Sequence, residues 1–365
     1  MRILFIITGL GGGGAEKVVA DLADQMVQLG HTVKIAYLKG DVIVRPQDSE
    51  VELVYLGLEN FINMRSTFYA YKKLILNFRP DVVHAHMVHA NIFARITRKF
   101  FPIPRLICSA HSNNEGGRLR MLAYKFTHSF ADITTNVSKN ASRNFELLGA
   151  VPFGQITTVY NGINLIKFKK KQTNNQLRHE LGLCDDIPVF LAVGRFHEAK
   201  DYPNLLDAFE KLKKTEIFKK KQPKLLIVGD GDGRIQIEQT IINFKLESDV
   251  ILLGRRNDVS ALLNMADFFV LSSKYEGLPT VVMEAMACET YVIATDCGGS
   301  QEIMGSTGKL VQIQNAGVLA DAMENTLKLN IDEVNRNNLE ARMRVENLFS
   351  LDKAVQNWLK IYEPL

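Results

Sequence analysis

Residues 1–30 read MRILFIITGLGGGGAEKVVADLADQMVQLG. An apolar run at 3–8 stops at a cluster of glycines, and from about 15 to 29 the apolar residues recur at helical spacing. Strand, tight turn and helix in that order open a parallel βα unit. The apolar run is too short to cross a bilayer and has no small-residue cleavage pattern, so it reads as a buried first strand.

The same alternation continues along the chain. Strands are expected at 3–8, 33–38, 51–55, 82–85, 105–109, 133–136 and 156–159, with helices near 15–29, 64–78, 89–100, 118–130 and 139–148. A polar, lysine-rich stretch at 167–179 has neither period and is the linker candidate. A second series follows, with strands at 188–194, 224–229, 250–253, 268–271, 291–294 and 310–312. The expected architecture is α/β, with two Rossmann-like doubly wound parallel-sheet domains facing across a cleft, 1–165 and 166–347. Long helices at about 331–346 and 351–362 close the chain, and the segment 348–365 is expected to cross back onto the first domain.

Composition agrees with two soluble domains. At 365 residues the chain exceeds the size at which one core keeps growing, and 46% hydrophobic with 23% charged residues excludes wholesale disorder. No later apolar run reaches the length of a spanning helix. Cys108, Cys184, Cys288 and Cys297 are scattered, with no metal-ligand spacing, and read as thiols of a reducing cytoplasm. The net charge of +4 is unevenly spread. From 61 to 128, Arg65, Lys72, Lys73, Arg79, Arg95, Arg98, Lys99, Arg105, Arg118, Arg120 and Lys125 face only Asp81 and Glu115, which marks a candidate anion-facing surface. Aromatics interleave with cations at 68–74, FYAYKKL, a pattern suited to anionic lipid headgroups. No nucleic-acid-binding motif accompanies the charge.

Ligands of open parallel sheets sit beyond the carboxyl ends of the strands, and the distinctive residues fall there. Gly9, Gly11 and Gly14 spell GxGxxG, and a helix start after such a loop favours phosphate. The dinucleotide reading also needs an acid at the tip of the second strand. Tyr37, Leu38 and Lys39 stand there, which disfavours an NAD-dependent oxidoreductase. In the second half Arg195 and Lys200 share one post-strand loop, GRFHEAK at 194–200, a fork plus a point charge suited to a pyrophosphate. Glu276 and Glu284 lie eight residues apart in EGLPTVVME. Gly277 and Pro279 place Glu276 on the loop and Glu284 in the following helix, whose first N–H groups, near Leu278 and Thr280, offer another phosphate site.

With these motifs in order, the chain resembles the retaining GT-B-fold glycosyltransferases that carry E-x7-E, the family 4-like or group 1 glycosyl transferases. The resemblance spans GGAE at 13–16, VYNGIN at 159–164, VGRFHEAKD at 193–201, LLIVGDGDGR at 225–234, EGLPTVVMEAMAC at 276–288 and TDCGGSQEI at 295–303. It implies that Glu276 contacts the transferred sugar and Glu284 the ribose, that Arg195 and Lys200 bind the diphosphate, and that Gly13 and Gly14 close over donor phosphate or acceptor. Gly194, Gly277, Leu278, Pro279 and Thr280 are implied donor contacts, and His111, in SAHS, a polar contact near the reacting carbon. It implies transfer from a UDP- or GDP-sugar to an acceptor hydroxyl with retention, without cofactor or metal, the acceptor being held by the first domain, 1–165, and the nucleotide-sugar donor by the second, 166–347. The expected acceptor is a lipid-linked saccharide of a bacterial surface glycan such as lipopolysaccharide, capsule or O-antigen. The protein is expected in the cytoplasm, peripheral on the inner face of the membrane through 61–128.

The chain departs from the family at Glu289-Thr290-Tyr291, where Gly-x-Pro is usual. Asp230-Gly231-Asp232 also spells the DxD metal motif of another glycosyltransferase architecture, although its place matches the family's VGDG loop. Rival readings are a nucleotide-sugar epimerase of the same fold, the oxidoreductase, and a non-catalytic nucleotide-sugar binding subunit.

Overall fold

The structure, a computed structural model, describes residues 1–113, 115–171 and 176–363. The chain divides into two compact units, Met1–Gly162 with Leu351–Leu365, and Ile163–Ser350. Each is built on one all-parallel sheet with helices on both faces.

The first sheet contains β1 (Arg2–Ile7), β2 (Thr32–Tyr37), β3 (Glu52–Tyr55), β4 (Val82–His86), β5 (Arg105–Ala110), β6 (Ile133–Asn136) and β7 (Ile156–Thr158), ordered 3-2-1-4-5-6-7. From Ile3 to Ile7 every residue of β1 is buried, because a central parallel strand is covered on both faces and needs a continuous apolar run rather than an alternating one. One face packs under the helix Gly14–Gln28 and the final helix Leu351–Tyr362, where Val19, Leu22, Met26, Val355 and Trp358 meet Ile3, Phe5 and Ile7. The other face packs under the helices Met64–Phe78 and Val88–Thr97 through Tyr71, Ile75, Phe93 and Ala94.

The second sheet contains β8 (Val189–Val193), β9 (Lys224–Val228), β10 (Val250–Gly254), β11 (Phe268–Leu271), β12 (Tyr291–Thr295) and β13 (Lys309–Val311), ordered 10-9-8-11-12-13. Strand order thus reverses between β1 and β4 in one unit and between β8 and β11 in the other. Loops leaving the two strands at such a reversal turn to opposite faces and open a crevice between them. The long helix Ile331–Phe349 starts at a capping box in which Asn330 and Glu333 satisfy each other's backbone N–H groups.

The stretch at 167–179 is more than a linker, although positions 172–175 lie outside the described residues. Gln176–Glu180 form a short helix whose Arg178 is buried. Its guanidinium donates to the carbonyls of Asp185, Ile187 and Met265 and to the Asp267 carboxylate. Periodicity could not reveal this role, since it rests on carbonyls supplied by other segments.

Candidate functional site

The β8–β11 reversal gathers the cationic loop and the first acid of the second unit. Lys200, in the 3-10 turn Glu198–Lys200 after β8, sets its Nζ 2.6 Å from Glu276 Oε1, which also accepts from Ser273 Oγ at 2.7 Å. Both partners of the ion pair are largely shielded, with side chains 21% and 16% exposed. The loop after β8 and the loop after β11 are laced together: Ser272 Oγ donates to Lys200 O at 2.8 Å, and Lys274 N donates to Ala199 O at 2.8 Å. Arg195 behaves differently. Its side chain is 65% exposed, and its guanidinium stands 3.7 Å from Asp232 rather than against Glu276.

Glycines make this arrangement sterically possible. A Cβ at Gly194 would stand 2.9 Å from Lys200 Cε, so the bare backbone lets the lysine stem cross it. Gly229, at φ +149, abuts Gly194 so closely that a Cβ would fall 1.9 Å from the Gly194 carbonyl oxygen. Gly298, after β12, supports the acid: at φ +55 its Cβ would lie 2.2 Å from Glu276 O, and Gly299 N donates to Gly277 O at 2.9 Å. Tyr202 OH, held protonated by burial, fixes the Gly194 carbonyl at 2.8 Å. Gly298, Ser273 and Tyr202 were invisible as contributors in the sequence, apart from the paired glycines of TDCGGS.

Glu276 lies on the turn and Glu284 on the helix Thr280–Ala287 of one continuous segment. Glu284 is 6% exposed. Pro279 occupies the N-cap of this helix and offers it no side-chain cap, and the first turn closes with Val282 N donating to Pro279 O at 3.0 Å.

In the first unit, Gly13 caps the helix Gly14–Gln28, and its missing Cβ would lie 2.5 Å from Glu16 Oε2. A carboxylate therefore already stands at this positive helix end. His111 follows β5. Its Nε2 lies 2.9 Å from His86 Nδ1, and its backbone N–H donates to Glu115 Oε1 at 2.9 Å. Glu115 Oε2 accepts from Tyr124 OH at 2.6 Å, and Tyr124 OH accepts from Asn91 Nδ2 at 2.7 Å. Burial pushes the His111 pKa down to about 4, so the ring is neutral at pH 7 and its contact with His86 is a hydrogen bond between neutral imidazoles. At the end of β4, Met87 holds φ 70 and ψ 158, a region essentially reserved for glycine that costs about 1–3 kcal/mol elsewhere.

His84 is engaged through both ring nitrogens, to Tyr362 OH at 2.8 Å and Ser109 Oγ at 2.6 Å. Among the described residues no group of three His, Cys, Asp or Glu side chains is disposed to hold a metal. Asp230 Oδ1 accepts from Gly231 N at 2.9 Å, while Asp232 is turned to solvent beside Arg195.

The cationic surface at 61–128 is smaller than its composition implied. Arg95 is completely buried, donating to Thr134 Oγ1 at 2.7 Å and lying over the Tyr124 ring. Arg98 pairs with Asp132 at 2.7 Å, and Arg105 donates to the Ile361 carbonyl in the last helix. Arg65, Lys72, Lys73, Arg79, Lys99, Arg118, Arg120 and Lys125 are exposed. A sequence shows charge but not burial: one of these cations is enclosed, and two more are half-buried and tied to neighbouring groups.

Two doubly wound parallel sheets, each with its distinctive loops at a strand reversal, define the GT-B class. The chain matches the family described as Glycosyltransferase Family 4 over residues 12–167 and that described as Glycosyl transferases group 1 over residues 173–344. It belongs to these glycosyltransferases. It is 34% identical over 237 residues to the N-acetyl-alpha-D-glucosaminyl L-malate synthase of Bacillus anthracis, covering 64% of this chain and 59% of that protein. It is 25% identical, over 90% of both chains, to the N-acetylgalactosamine-N,N'-diacetylbacillosaminyl-diphospho-undecaprenol 4-alpha-N-acetylgalactosaminyltransferase of Campylobacter jejuni. The fold matches that of Anabaena HepE in complex with UDP and glucose at a TM-score of 0.86, with 20% identity and all of both chains covered. Among the described residues no helix is long and apolar enough to cross a membrane.

Proposed function

We propose that this glycosyltransferase moves a sugar from a UDP- or GDP-sugar to a hydroxyl of a lipid-linked saccharide, with retention at the anomeric carbon and without a metal. One observation carries the reading: the shielded Lys200–Glu276 pair at the β8–β11 reversal, with the exposed Arg195 guanidinium on the same loop. When the bond from the anomeric carbon to the diphosphate breaks, negative charge grows on the departing oxygen and positive charge on the sugar. Lys200 and Arg195 answer the first, and Glu276 faces the second. The uncapped helix start at Pro279 and Thr280 adds oriented N–H groups for phosphate. The new bond forms on the face the diphosphate leaves, and the acceptor proton passes to a phosphate oxygen. Because His111 is neutral at pH 7, its part is that of a hydrogen-bonding contact rather than a charge.

The UDP in the HepE complex supports the donor class, and the diphospho-undecaprenol in the name of the Campylobacter relative supports the acceptor class. A place in lipopolysaccharide, capsule or O-antigen assembly, at the inner face of the membrane, follows from that acceptor. The test is transfer by purified protein across UDP- and GDP-sugars with a chelator present. Arg195→Ala, Lys200→Ala and Glu276→Ala should each lower kcat by about 10²–10³, and the product should keep the donor's anomeric configuration. Near-normal rates in all three variants, inversion, or a complete Mg²⁺-reversible loss under chelation would each reject the reading.

A further inference from the structure

The first unit contains a cavity of about 540 Å³ that none of the proposed transfer residues lines. That volume is typical of a small-molecule site. Its walls come from β-strand ends and from helices Met64–Phe78, Val88–Thr97 and Arg118–Thr127. They are graded in polarity from one end to the other.

At the carboxyl ends of β1 and β2 the lining is polar. Thr8 and Lys39 stand there, with His89 opposite at the start of its helix. Thr8 is 7% exposed, and its hydroxyl has no hydrogen-bond partner among the described residues. Burial and the nearby charges of Arg120 and Lys39 lower the pKa of His89, which shows how closely the cations gather at this end. The one acid on the wall, Glu59, already accepts from Gly40 N and Tyr55 OH.

Away from the sheet the lining is hydrocarbon and aromatic, with Phe68, Ile92, Phe93, Ile96 and Phe100. Phe68 and Phe100 meet edge to face at 5.6 Å. The cavity reaches the surface there, where Ile96 is 46% and Phe100 65% exposed. Beside it, Leu119, Leu122 and Phe126 are 83%, 45% and 73% exposed along one face of the helix that also supplies Ala123 to the wall. Arg118 and Lys125 on that helix, and Lys99 beside Phe100, are exposed as well. An apolar face flanked by cations suits the headgroup boundary of an anionic bilayer.

We propose that this cavity takes the hydrocarbon chain of the lipid acceptor, its phosphate end beside Lys39 and His89 and its chain running past Phe68 and Ile92 to the membrane-facing mouth at Ile96 and Phe100. The inference rests on the acceptor being lipid-linked, as argued above, and commits to a phosphorylated amphiphile. A purely apolar occupant would leave the polar end at Lys39 and His89 without a counter-charge, and a free phosphate would leave the aromatic walls wet. Each buried methylene adds about 0.8 kcal/mol, roughly fourfold in affinity.

Farnesyl diphosphate is the probe, titrated calorimetrically into the full-length protein with UDP saturating so that the diphosphate site of the second unit is filled. Farnesyl diphosphate should bind at least tenfold more tightly than dimethylallyl diphosphate or pyrophosphate. Ile92→Trp, which fills the cavity from a half-buried position, and Ile96→Asp, which charges its exposed mouth, should each weaken farnesyl diphosphate at least tenfold. UDP affinity in both variants should stay at the wild-type value, which also certifies their folding. Equal binding of farnesyl diphosphate and pyrophosphate, unchanged binding in both variants, or equally tight binding of uncharged farnesol would overturn the proposal. Failure of the broader functional reading is seen separately, as a wild-type protein that binds farnesyl diphosphate at this cavity but transfers no sugar.

Discussion

Replacing Gly298 by alanine should slow sugar transfer about a hundredfold while leaving UDP affinity within about threefold of wild type. The new Cβ would stand 2.2 Å from Glu276 O, 2.7 Å from its carbonyl carbon and 3.0 Å from Gly277 O. None of these atoms belongs to a flexible side chain, so the backbone itself must give. Real Cβ contacts do not fall below 3.0 Å, so the Glu276 backbone must retreat by about 0.8 Å. That moves a carboxylate whose Oε1 is fixed at 2.6 Å by Lys200 and 2.7 Å by Ser273. A displacement near 1 Å is enough to cost about 10² in rate when the group must meet a transition state. Alanine at φ +55 adds roughly 1–2 kcal/mol of backbone cost, a drop of a few degrees in Tm. The assay is steady-state transfer with kcat and KM separated, alongside a thermal scan with and without UDP. A variant whose Tm falls by that amount but whose kcat stays within about threefold of wild type would show that the position of Glu276 does not set the rate.

Tyr362→Phe should destabilise the first unit by about 1–3 kcal/mol, because it strips the partner at 2.8 Å from the buried His84 Nδ1; chemical denaturation followed at Trp358 reads it, and an unchanged midpoint refutes it. Stability should also fall on acidification. The pKa of His111 is depressed to about 4, and those of His84 and His86 lie well below the usual 6.5, all chiefly through burial. The unfolded chain therefore binds more protons between pH 6.5 and 4, and stability present above pH 6.5 is lost through that window. The raised pKa of Glu115, also from burial, acts in the opposite sense, so the informative quantity is the difference between wild type and His111→Asn. The variant should show the shallower slope in urea titrations, and an equal slope would remove His111 from the account.

Much of the fold was legible because parallel strands buried on both faces must be written as uninterrupted apolar runs. Ile3 to Ile7, Val189–Val193 and Phe268–Leu271 could hardly be anything else, and the glycines after the first two marked turns where a ligand or another loop approaches. The positions of Arg195, Lys200 and Glu276 just beyond strands were likewise readable. Burial of Arg95 and Arg178 was not, since charge in a sequence looks the same whether solvated or enclosed by carbonyls.

By itself, then, the sequence determined the alternation of strands and helices and the chemical kinds of side chain at the strand ends, since both are written in local pattern. Only tertiary structure decided which strands are neighbours. That order places the loop after β8 against the loop after β11, although Lys200 and Glu276 are 76 residues apart in the chain, and it sets Gly298 under the acid. It likewise joins Ser109 and Tyr362 to His84, and brings three helices of the first unit around a cavity that no stretch of sequence spells out. The physical reason is that long-range contacts are fixed by how whole faces pack, and no single segment carries that information.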